Sequence, residues 1–216
     1  MTNTTYTAPV RTAPAAPAAP AGAPGRLTRT AFVAGPLALV AYGVIRLLSE
    51  RGVPSAGWTA GHLAMLAGLV LFVPVLLHLR RAAPASRRVP AGAALAVGLV
   101  GLVATAVQAV IDLTAGFMAA DRPEMVEIFQ QVKAVPGVEP VVYGLVPPLF
   151  FLGAIALAAL TSLPPRTKLL MVGALVLGTV LMTLNLNFLA LGGLCFLIAL
   201  APLLRGARVT PLPRTN

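Results

Sequence analysis

Four side chains set in otherwise apolar stretches have the chemistry to bind or exchange charge: Arg46, His62, Gln108 and Asp112. A carboxylate beside an imidazole or a guanidinium can share a proton with it, and each charge alters how readily its neighbour titrates. Such a set suits a small polar ligand or a proton. Polar groups cost free energy inside a membrane, so their placement is itself a signal. Arg46 has Tyr42 one turn before it and Glu50 one turn after it, and His62 follows Trp58 by a turn. Thr105, Gln108 and Asp112 recur at helical spacing on one face. Counted inward from the ends of their segments, these groups reach one level, together with Tyr143, Asn185 and Asn187. That level is the outer third of a bilayer.

Two readings of this level stand side by side. In the first, Arg46, His62, Gln108 and Asp112 converge as a ligand-binding pocket open to the outside, with Asp112 paired to Arg46 or His62. In the second, each residue sits separately at the membrane boundary. Arg46 then extends to the headgroups and pairs with Glu50 on its own helix, while Thr105 and Gln108 bond between helices.

Other chemistry finds no support. His78 lies beside Arg80 and Arg81 at the inner boundary and reads as an interfacial histidine. His62 and His78 fall on one helix about 24 Å apart by rise per residue, which excludes bis-histidine haem within one chain. Cys195 is the single cysteine, and there is no His-x-x-x-His pattern or carboxylate cluster for a metal. No serine has a Gly-x-Ser-x-Gly context. No catalytic residue, cofactor or metal is expected, and an intramembrane enzyme is kept only as a remainder.

The elements that must position these groups follow from composition. Hydrophobic residues make up 58% of the chain and charged residues 10%, with mean hydropathy +0.89, whereas soluble domains carry roughly 25% charged residues. Six apolar segments run over about 30–48, 57–79, 91–117, 140–163, 168–184 and 186–204, each near the length of a membrane span. The fold expected is all-α, with six transmembrane helices. Of 16 Lys and Arg residues, twelve flank these segments in alternate gaps: Arg11, Arg26 and Arg29, then Arg80, Arg81, Arg87 and Arg88, then Arg166 and Lys168, then Arg205, Arg208 and Arg214. Basic flanks stay on the cytoplasmic side, so both termini are expected inside.

The loop between the third and fourth spans holds an expected amphipathic helix, capped by Asp121 and ended by Pro136-Gly137, with Met125, Ile128, Phe129 and Val132 on its apolar stripe. Its simplest role is a linker that seals the outer end of the bundle. Pro147-Pro148 should kink the fourth span. Asn185-Leu186-Asn187 separates the last two spans so briefly that a bent, re-entrant hairpin stays open as an alternative.

Residues 1–29 form an Ala/Pro-rich tail expected to be disordered in the cytoplasm, and 205–216 a second cytoplasmic tail. The Ala-, Gly-, Pro- and Arg-rich composition points to a bacterial plasma membrane. Expected partners are the bilayer, with anionic lipids at the basic loops, and a second membrane protein or copy of this chain. Nucleic acid has no fold to bind to. Two functions from different classes follow: a protein that binds or moves a small polar ligand or proton through the pocket, or an accessory subunit with no site.

Overall fold

The computed structural model describes residues 24–50 and 52–204. Most of the N-terminal tail and the whole C-terminal tail lie outside the described residues. Seven α-helices carry the fold: α1 (Arg26–Leu48), α2 (Ala56–Arg81), α3 (Arg88–Met118), α4 (Arg122–Ala134), α5 (Leu149–Leu160), α6 (Pro165–Leu184) and α7 (Leu189–Leu204). A π-helical segment, Glu139–Leu145, precedes α5, and single 3₁₀ turns, Ala85–Arg87 and Leu186–Phe188, open α3 and α7. No strand occurs among the described residues.

Five of these helices, counting the 3₁₀ turns with α3 and α7, are long and apolar enough to cross a membrane. The π segment and α5 make a sixth crossing only if taken together, and they bend by 45° at their junction. The expected span over 140–163 is therefore broken in two, as a bent crossing or a re-entrant loop. Pro147 and Pro148 lack the N–H groups that would carry the helical ladder through the junction. The last two segments are separate helices packed side by side. Asn185 ends α6, and its side chain accepts the Asn187 backbone N–H at 2.9 Å. The first span begins earlier than its apolar core suggests: Pro24-Gly25 is the break, and Arg29 N–H already bonds to the Gly25 carbonyl at 3.0 Å.

Packing closes the six long elements into a ring in the order α1, α2, α3, α5, α6, α7 and back to α1. Aromatic side chains from three of them fill its middle. Phe72 of α2 stacks edge-on against Phe150 of α5, with ring centroids 5.1 Å apart, and against Phe196 of α7 at 5.9 Å. Phe151 meets Phe196 at 5.9 Å. The ring thus encloses a packed core with no open lumen at this depth. Outside, Val70, Val103, Leu152, Leu177 and Ile198 are each more than half exposed. Aliphatic surface of this extent on every side is what lipid solvates and water does not.

Small residues set the closest helix crossings, as expected where no hydrophobic drive separates helix from lipid. α3 and α5 meet backbone to backbone, where a methyl group added at Gly101 would overlap the Phe150 backbone. Basic residues Arg80, Arg81, Arg87, Arg88, Arg166 and Lys168 gather at one end of the ring, where Ser162 N–H bonds to the Ala82 carbonyl at 3.0 Å. The opposite end carries α4.

Candidate functional site

At the α4 end, α1, α2, α3 and the π segment bring polar groups together. Asp112 sits near the end of α3, a helix of 31 residues. At 1.5 Å per residue it spans about 46 Å, which carries its last turns past a hydrocarbon core of about 30 Å. His62, Asp112 and Thr161 are the only buried polar side chains among the described residues, with His62 3% and Asp112 8% exposed. Thr161 is satisfied locally, donating to the Ala158 carbonyl at 2.8 Å. The other two face each other, His62 Nε2 lying 3.4 Å from Asp112 Oδ2.

The surrounding partners constrain the ring. His62 Nδ1 lies 2.8 Å from the Trp58 carbonyl oxygen. A carbonyl only accepts, so Nδ1 carries a hydrogen. In a neutral imidazole Nε2 would then be a bare acceptor facing a carboxylate oxygen. Two acceptors do not attract; a proton on the ring or on the carboxyl would turn this 3.4 Å contact into an ion pair or a hydrogen bond. The second carboxyl oxygen, Oδ1, accepts from the Tyr143 hydroxyl at 3.2 Å.

Trp58 completes the enclosure. Its Nε1–H donates to the Asp112 backbone carbonyl at 2.8 Å, and its ring lies against His62 with centroids 4.3 Å apart. The side chain of Ser55, the N-cap of α2, accepts the Trp58 backbone N–H at 3.1 Å and so sets the start of this helix. Gly116, one turn beyond Asp112, leaves the space the indole needs. A Cβ there would stand 2.5 Å from Trp58 Cδ1 and 2.7 Å from Nε1. Replacing Gly116 by Val should therefore expel the indole, break its bond to Asp112 and shift Trp58 emission to the red. Unchanged emission from a folded Gly116→Val protein would contradict this seating.

α4 lies over this end. Asp121 Oδ1 accepts the Glu124 N–H at 3.0 Å, and Glu124 Oε2 accepts the Ala120 N–H at 2.7 Å, a reciprocal cap that fixes the helix start. Gly137, at φ 85°, follows its end. Met125 is buried and the Phe129 ring lies 6.3 Å from Trp58, so the apolar stripe faces the bundle as its spacing predicts. Lys133 Nζ pairs with Glu139 at 3.7 Å and sits 5.2 Å from the Tyr143 ring centroid. Substituting Asp121 by Ala removes the cap and should cost about 1 kcal/mol, seen as faster amide exchange in α4 without loss of the bundle.

Of the four expected ligand residues, three share this region. His62 and Asp112 touch, and Arg46 lines a cavity beside His62 with Tyr42, Ser49, Glu50 and Trp58. The cavity measures about 20 Å³, room for about one water. Gln108 lies one turn further from the α4 end, half-buried, and bonds to none of the cluster. Thr105 bonds back to the Gly101 carbonyl of its own helix at 2.9 Å and not across helices. The Arg46–Glu50 pair is absent among the described ion pairs. His78 packs edge-on against Phe32 at 5.2 Å, far from the cluster. No group of side chains suited to a metal occurs among the described residues.

Sequence reasoning left two members of the cluster without a role. Trp58 enters it only as the residue a turn before His62, and only the packing of α2 on α3 turns its N–H toward Asp112. Tyr143 reaches the right level by counting, but its bond to Asp112 depends on the bend before α5. No protein-family model matches the chain, and no curated protein or solved structure shows significant similarity to it, so its chemistry is read from these side chains themselves.

Proposed function

We propose that this chain is a multi-pass protein of a bacterial plasma membrane that accepts a proton, or a small polar ligand coupled to one, at a pocket facing outside. The observation that carries the reading is the buried His62–Asp112 contact, an imidazole facing a carboxyl group within apolar helices, where a proton would join the two. Basic residues clustered at the opposite end of the ring support a cytoplasmic position for that end and for both termini. Tyr143 and Trp58 hold the carboxylate and imidazole in register, so a proton arriving from outside meets a preformed pair. The phenylalanine core, about 15 Å from His62 along α2 by rise per residue, closes the way inward. Passage to the other side would require those rings to part.

Proton uptake during a pH jump from mildly alkaline to mildly acidic medium, followed with a pH dye on protein in detergent, tests this directly. The native protein and Asp112→Asn should take up different numbers of protons, because only the native protein has a carboxyl group facing the ring. Equal uptake by the two would overturn the reading.

An accessory role draws on a different observation. Leu102, Val103, Ala106, Val107, Val110 and Ile111 line a wholly apolar groove of about 300 Å³ along α3. A partner helix or a second copy seated there would survive mild extraction. Purification as a monomer under those conditions would count against it.

A further inference from the structure

The cavity between α1 and α2 has a chemistry that the His62–Asp112 pair does not use. Arg46 Nε is the one buried side-chain nitrogen or oxygen without a hydrogen-bond partner among the described residues. A guanidinium N–H shut off from water with no partner carries an uncompensated desolvation cost, so its retention calls for an acceptor. Glu50, exposed and two residues past the end of α1, is the one carboxylate in this lining. It forms no ion pair with Arg46. The Tyr42 hydroxyl lies close enough to bond to the guanidinium and also sits near Asp112, but it is uncharged and leaves Nε without a partner. Trp58 and His62 also line the cavity, and a ring edge or a ring already bonded to a carbonyl offers no anionic acceptor.

We propose that Arg46 anchors an oxyanion, a phosphate or carboxylate group that presents one oxygen to this cavity. The proposal rests on the reading of the outer pocket above and names the chemical class of its ligand. The volume supports a single inserted oxygen, since about 20 Å³ admits one water-sized group and no more. The remainder of the ligand then lies at the membrane surface, between Ser49 and Glu50. A planar guanidinium suits either source of such an oxygen, a free anion or the headgroup of a phospholipid.

Trp58 is the only tryptophan in the chain and lines the cavity, so its fluorescence reports occupancy without a label. In one arm, inorganic phosphate or acetate is titrated onto protein in a phosphate-free sugar detergent. In the other, the protein is placed in nanodiscs of phosphatidylglycerol or of a galactolipid that carries no phosphate. A saturable change with the soluble anions assigns a free oxyanion. A change confined to phosphatidylglycerol assigns the headgroup. Arg46→Gln should weaken either response about tenfold or more, the worth of one charge-assisted hydrogen bond. Should that variant fail to fold, Arg46→Lys, which keeps the charge but lacks Nε, is read in the same way. Glu50→Gln should strengthen binding by removing a competing carboxylate.

No response in either arm, or one unchanged by both Arg46 substitutions, would overturn the proposal. So would equal loss of thermal stability in Arg46→Gln and Glu50→Gln with no further loss in the double variant, because the two residues would then be each other's partners. None of these results bears on proton uptake by Asp112, so the two readings fail separately.

Discussion

Alanine in place of Asp112 should lower the midpoint of thermal unfolding by several degrees, whereas asparagine should leave it nearly native. Alanine strands the Tyr143 hydroxyl and His62 Nε2, both of which point at the carboxyl group. Each unsatisfied buried polar group costs about 1–3 kcal/mol, and for a chain of this size about 1 kcal/mol moves the midpoint by roughly 2–4 °C. Asparagine offers an oxygen to Tyr143 and keeps the volume filled. The contrast matters more than either value: asparagine retains the structure while removing the group proposed to accept the proton. An asparagine variant as unstable as the alanine one would mean that charge, and not hydrogen bonding, holds α2 to α3 here.

A larger loss should follow from Gly153→Leu. A Cβ at this position would lie 2.7 Å from the Ala94 carbonyl oxygen and closer still to the Gly98 backbone. No flexible side chain is there to yield, so α3 and α5 must separate. Overpacking of a rigid contact costs about 3 kcal/mol or more, equivalent to a fall of order 10 °C. The effect should propagate to the site, because α5 continues from the segment that carries Tyr143. Thermal unfolding of the purified protein checks the first consequence. Loss of tyrosine hydrogen bonding, seen in the ultraviolet absorption of the folded variant, checks the second. A Gly153→Leu protein that unfolds at the native temperature would show that the two helices do not cross this closely.

Local chemistry made much of this fold legible beforehand. Asp121, Pro123 and the stripe from Met125 to Val132 specify α4 within a dozen residues, because caps and periodicity act at short range. Pro147-Pro148 marks the break before α5 for the same reason. Depth counting located Arg46, His62, Asp112 and Tyr143, since rise per residue is fixed. Contacts that depend on helix rotation and crossing angle were not legible. Gln108 has the spacing of a cluster member but lies a turn too deep. Arg46 and Glu50 have the spacing of a helical ion pair, yet the pair is not formed. The bond from Trp58 to the Asp112 carbonyl needs the gap at Gly116, which in the sequence is one small residue among many.

The side of the membrane on which the cluster lies is the claim everything else depends on, and Lys133 reports it. It sits beside the Tyr143 ring and is exposed. With Cys195 replaced by Ala, a single cysteine at position 133 can be challenged in intact cells with a maleimide that does not cross membranes. Labelling before permeabilisation is the expected result. Protection until the membrane is opened would place the His62–Asp112 pair on the cytoplasmic side and contradict the account.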